Sequence, residues 1–151
     1  GINKQIAKEI FESDDFWNEV KVREEFKEVF DSIGDKYEHK LVTKGTECNH
    51  DRKQQFLIND TYMKDKQWDY ICVGDDEDKN IVDMSNGIFV DDKLENLVVT
   101  NARIKILLKN GIDTDYNTPR GKNTVVDNLY ITNDLEEVKQ LLEFNCFVEE
   151  I

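Results

Sequence analysis

Apolar positions change their period about a quarter of the way along the chain. Ile2, Ile6 and Ile10 recur at four-residue steps, and Ser13-Asp14-Asp15 interrupts them before the aromatic pair Phe16-Trp17. Val22, Phe26, Val29, Phe30 and Ile33 then mark one face of a stronger helix, with Gly34 placed to stop it. From residue 36 onward the pattern becomes short apolar runs at 39–43, 70–73, 88–90, 104–108 and 129–131, each closed by polar or turn-forming residues. A loop at 44–50 contains Gly45, and Asp51 is placed to cap a helix carrying Phe56, Leu57 and Met63. A short helical stretch is expected over 79–84. Asn133 or Asp134 is expected to cap a final helix with Leu135, Val138, Leu141 and Leu142 on its buried side.

Short continuous apolar runs alternating with helices are what strands buried on both faces look like, so the pattern predicts an α/β chain with a parallel sheet. Residues 113–128 hold the only Pro and are rich in Asn, Thr and Asp, which reads as a long surface loop.

Composition narrows the function. The 151 residues carry 33 acidic against 20 basic side chains, a formal charge of −13. Binding duplex DNA needs clustered Lys and Arg to neutralise phosphates, so this balance argues against a nucleic-acid partner. A small phosphorylated ligand held by a metal ion and one lysine remains compatible. No apolar run approaches the roughly 18 residues of a membrane span, and no secretory leader is expected from the opening residues. Cys48, Cys72 and Cys146 are far apart and form no C-x-x-C pair, which fits reduced thiols and a cytoplasmic setting better than a zinc or redox site.

In an open α/β sheet, ligands sit at the carboxyl ends of the strands. Thr43, Lys44, Gly45 and Thr46 follow the first expected strand, Lys53 lies early in the helix after it, and Asp91 and Asp92 close the third strand. Each has a plain alternative: Thr43 as a turn or cap, Lys53 as a solvated lysine, one of the two aspartates as a helix cap. Adjacent carboxylates repel, however, and a cap explains only one of them. A strand-end hydroxyl, a helix lysine and an acidic pair together suit phosphoryl transfer: hydroxyl and lysine hold phosphate oxygens while the carboxylates hold Mg²⁺. Asp75 to Asp78 reads as a solvated acidic turn. Asp113-Thr114-Asp115 has an Asp-x-Asp spacing, but Lys109-Asn110-Gly111 breaks the strand before it.

The order of these segments resembles the haloacid dehalogenase (HAD) superfamily of phosphohydrolases, in particular its 5′(3′)-deoxyribonucleotidase type. HKLVTKG is similar to the second motif of that family, HDRKQQFL to the helix bearing the third-motif lysine, and GIFVDDKLENL to the fourth motif. The segment ESDDFWNEVKVREEFKEVFDSI resembles the end of a small helical cap leading into the sheet. The resemblance implies a three-layer, Rossmann-like parallel sheet with helices on both faces. It makes residues 1–34 a cap portion with its linking helix, and residues 35–151 the α/β core of a single domain. It further implies that Thr43, Lys44, Gly45 and Lys53 bind phosphate, with Lys53 catalytic. Asp91 and Asp92 would hold Mg²⁺, one of Phe16 and Trp17 would stack on a base, and the substrate would be a nucleoside monophosphate or similar phosphomonoester; Tyr116-Asn117 would border the pocket.

The same resemblance implies an attacking aspartate in an Asp-x-Asp motif at the end of a strand upstream of the cap. No such motif precedes Thr43. The chain as it stands is therefore expected to be inert unless that segment is supplied. The missing central strand would leave sheet edges open to pairing or segment swapping in a homodimer. The alternative from another class is a non-catalytic, HAD-derived module for ligand binding or interaction.

Overall fold

The structure, a computed structural model, describes residues 4–34, 36–109 and 127–149. In chain order it runs α1 (Lys4–Glu12), α2 (Asp14–Glu19), α3 (Glu24–Ile33), β1 (Lys40–Gly45), α4 (Glu47–Asn59), β2 (Asp69–Gly74), β3 (Ile88–Asp91), α5 (Leu94–Val99), β4 (Ile104–Leu108), β5 (Leu129–Thr132) and α6 (Leu135–Glu149). The chain is mixed α/β, and the described strands form two small parallel sheets, β1–β2 and β3–β4–β5. Its contacts divide it into two compact units, Gly1–Arg23 with Glu38–Glu77 and Glu24–Tyr37 with Asp78–Ile151.

In the first unit, α4 connects β1 to its parallel neighbour β2 and packs on both strands. Parallel pairing requires such a crossover. Among the described residues of this unit, Val73 of β2 and Met63 of a 3-10 turn are the buried apolar side chains. The helix α4 begins earlier than the sequence pattern suggests. Thr46, not Asp51, is its N-cap: the Thr46 hydroxyl accepts from Asn49 N at 3.2 Å and donates to Glu12 of α1. The expected loop at 44–50 is correspondingly shorter, because β1 continues to Gly45 and α4 starts at Glu47. Ile6 and Ile10, the expected inner face of α1, are 51% and 41% exposed.

In the second unit, Val29 and Ile33 of α3 pack with Ile106 of β4 and with Leu135, Val138 and Leu142 of α6. The Tyr37 hydroxyl donates to Leu142 O at 2.6 Å and ties the chain after α3 to α6. Asp134 caps α6, its Oδ1 accepting from Glu136 N at 2.9 Å. The expected helix over 79–84 is a single 3-10 turn, Lys79–Ile81, while the helix α5 directly after β3 is an element the apolar pattern does not mark. Leu94 and Leu97 bury α5 against β3 and β4. The loop expected over 113–128, with Asp113, Tyr116 and Asn117, falls on or beside residues 110–126, which lie outside the described residues.

Candidate functional site

The structure gathers the candidate side chains into two clusters, one in each unit. The first lies at the carboxyl end of β1. Lys53 sits on α4, two turns beyond the Thr46 cap, so its side chain reaches back over the strand end. Its ammonium donates to Thr43 Oγ1 at 2.5 Å and to Lys44 O at 3.0 Å. Gly45 completes this turn where space is short, since a Cβ there would meet Asn49 Oδ1 at 2.5 Å. Asn49 in turn donates to Phe11 O at 3.1 Å, which tethers the turn to α1. The strand end therefore presents a hydroxyl, a carbonyl and an ammonium held in one place.

Two neighbours of this cluster carry no mark in the sequence. His50 is buried in the first turn of α4, with Nδ1 2.9 Å from the Tyr70 hydroxyl and Nε2 2.9 Å from Val73 O. Burial, reinforced by electrostatic repulsion from Cys72 and partly opposed by Thr43, pushes Tyr70 up to about 12.

The second cluster lies at the carboxyl end of β3. Asp91 Oδ2 accepts from Lys79 Nζ at 2.7 Å and from Asn96 Nδ2 at 3.1 Å, and Oδ1 accepts from Lys93 N at 2.8 Å. One aspartate is thus a turn-and-helix anchor as well as an ion-pair partner. The Lys79 ammonium also stands 5.3 Å from the centre of the Phe89 ring. Asp92, beside it, is exposed as a residue, yet partial burial of its carboxyl pushes its pKa up. The charge of Asp91 and a hydrogen bond to it add to that shift, while a backbone hydrogen bond and Lys79 oppose it. Two carboxylates share one ammonium here, so the second charge is less well compensated than the first.

Two side-by-side carboxylates at a strand end fit Mg²⁺ by donor type, because this ion takes hard oxygen ligands and is held by one or two carboxylates plus waters and phosphate oxygens. Asp92 is the better ligand of the two, since Asp91 already serves three donors. Among the described residues no group of three or more His, Cys, Asp or Glu side chains is gathered into a metal cage.

Of the residues singled out in the sequence, Thr43, Lys44, Gly45 and Lys53 belong to the first unit and Asp91 and Asp92 to the second. The lysine that meets the acid pair within the second unit is Lys79, twelve positions before Asp91. Its signal in the sequence is slight: a lone lysine ending the acidic run Asp75 to Asp78. Phe16 and Trp17 sit in an aromatic cluster that packs α2 onto α1 and α4. Phe16 is edge-on to Phe11 at 5.1 Å and to Trp17 at 5.4 Å. Trp17 lies 6.1 Å from Phe56 and its indole donates to Phe11 O at 2.7 Å. These contacts hold both rings against neighbouring aromatic side chains of α1 and α4. Cys48 and Cys72 are free, exposed thiols.

No protein-family model, no curated protein and no solved structure matches this chain. No helix among the described residues is long and apolar enough to cross a membrane.

Proposed function

We propose that the chain carries phosphate-binding and metal-binding parts of a Mg²⁺-dependent phosphohydrolase of HAD type, acting on a small phosphomonoester such as a nucleoside monophosphate. The three-layer arrangement and small helical cap of that family belong to the same proposal. The observation that carries it is the acid pair at the end of β3, where Asp91 is neutralised by Lys79 and Asp92 is left with a raised pKa. A carboxylate that shares its lysine with a neighbouring carboxylate at a strand's carboxyl end stands where an α/β protein places a cation for its ligand.

Within this reading Asp92, oriented by its neighbour Asp91, holds Mg²⁺, and Lys53 with Thr43 and the turn through Gly45 binds phosphate oxygens. Lys79 holds Asp91 in place. None of the described residues is assigned the attack on phosphorus, so the reading concerns binding and orientation of the phosphoryl group.

The test is direct binding. Calorimetric titration of the chain with MgCl₂ is expected to give a saturable site that Asp92→Asn removes. Titration with inorganic phosphate is expected to show binding that Lys53→Met removes. A wild-type chain that takes up neither ion refutes the proposal.

One observation favours a second reading, a non-catalytic ligand-binding module: every oxygen of Asp91 already has a protein donor. That reading expects phosphate binding that is insensitive to Mg²⁺ and to Asp92→Asn.

A further inference from the structure

The turn that leads into β3 carries the Asn-Gly pair Asn86-Gly87, with Asn86 exposed. Ahead of a Gly, a backbone nitrogen reaches the preceding side-chain amide with the least obstruction, because Gly has no Cβ. Here that nitrogen is engaged. Gly87 N donates to Met84 O at 2.8 Å, and Gly87 O accepts from Arg103 N at 3.0 Å and from Ile104 N at 3.4 Å. The turn is fastened from across the unit by Asn101. Its Oδ1 accepts from Met84 N at 2.7 Å and its Nδ2 donates to Asp83 Oδ1 at 2.9 Å. The same Asp83 oxygen accepts from Ser85 N at 3.0 Å. All of these residues belong to the second unit.

We propose that Asn86 is a site of spontaneous deamidation whose rate is set by the opening of this turn, with Asn101 and Asp83 as the clasp that keeps it closed. Water is the only co-reactant. Once the bond to Met84 O has broken, the Gly87 nitrogen gives its proton to hydroxide and attacks Asn86 Cγ. The bond from Cγ to Nδ2 breaks, and ammonia leaves with a proton taken from water, which regenerates the hydroxide. Water then opens the resulting succinimide at either carbonyl, leaving aspartate or isoaspartate at position 86. The clasp bonds are solvent-exposed, so they open locally and not only with the whole unit. The conversion adds a negative charge to a chain already at −13. Its isoaspartate form also lengthens the backbone just ahead of β3, the strand that ends in Asp91. The inference does not depend on the phosphate reading.

The experiment incubates the full chain in warm, mildly alkaline buffer, with and without denaturing urea, and follows aspartate and isoaspartate at position 86 by peptide mapping with mass spectrometry. A second Asn-Gly pair, at 110–111, lies outside the described residues, and the peptide map keeps the two apart. The folded wild type is expected to convert Asn86 about tenfold or more slowly than the chain in urea. Folded Asn101→Ala is expected to convert it about three- to tenfold faster than the folded wild type, the effect of losing two exposed hydrogen bonds. In urea the two chains are expected to react alike. A Cβ at Gly87 would stand 3.4 Å from Met84 O, so Gly87→Ala keeps the turn and is expected to slow conversion in both conditions. If Asn101→Ala fails to fold, Asp83→Ala opens the same clasp and decides the point. A folded wild type that converts Asn86 as fast as the chain in urea, or clasp variants no faster than the folded wild type, overturns the inference.

Discussion

Lys79 Nζ lies 2.7 Å from Asp91 Oδ2, and the two side chains are only 10% and 6% exposed. A buried pair of this kind adds little over a well-packed apolar pair, but removing one partner leaves an unpaired charge out of water. Lys79→Met is therefore expected to cost about 3 kcal/mol in a urea denaturation series. Lys79→Met combined with Asp91→Asn removes both charges, and the amide oxygen introduced by the second substitution can still accept from Lys93 N. The double variant is therefore expected to be more stable than Lys79→Met alone. Equal or additive losses would show that the two charges do not support each other.

Asp92 is expected to respond to Mg²⁺ in the opposite sense. Its carboxylate is raised in the folded chain, so Asp92→Asn is expected to stabilise the metal-free protein at neutral pH. Mg²⁺ at about 100 times its Kd would stabilise the wild type by about 2.7 kcal/mol and leave Asp92→Asn unchanged. Thermal melts with MgCl₂ and with NaCl at matched ionic strength check both halves.

Tyr70 gives the pH dependence. Its folded-state pKa of about 12 lies above the ordinary 10.0, so the neutral phenol is favoured by folding. This contribution is fully present below pH 10 and is lost as the pH rises through 12. Ultraviolet titration of the phenolates is expected to show one of the five tyrosines ionising late, and Tyr70→Phe to abolish that late component. A wild-type curve without it would remove the burial argument for the His50–Tyr70 pair.

Thr46 is the last local test. Its hydroxyl caps α4 and also donates to Glu12, so Thr46→Ala is expected to destabilise the first unit by about 1 kcal/mol, and Thr46→Ser to restore most of the loss. Hydrogen exchange of the α4 amides reads this locally.

How much of this could be seen in the sequence differs from element to element. The run at 104–108 corresponds end for end to β4, because a strand with Lys105, Ile106 and Leu107 all buried shows itself as an unbroken segment. β1 extends past its apolar stretch, since Lys44 and Gly45 are held by pairing with Val73 and Gly74, and backbone pairing leaves no trace in side-chain character. The cap of α4 falls on Thr46 and not on Asp51 because capping depends on which backbone N–H groups stand open at the helix start. Lys79 reads locally as the start of a short helical stretch after a solvated acidic turn; only the return of the chain through β3 brings Asp91 to it.

Sequence by itself determined the class of the chain and the types of group at its strand ends: hydrophobic period and acidic balance act locally and are written residue by residue. Tertiary structure decided which groups meet. The choice of Lys79 as partner of Asp91, and the hydrogen bonds of Lys53 to Thr43 and of His50 to Tyr70, join residues on separate elements. The reason is that a buried charge or hydroxyl must find its partner wherever packing places one, and that place is set by the fold and not by distance along the chain.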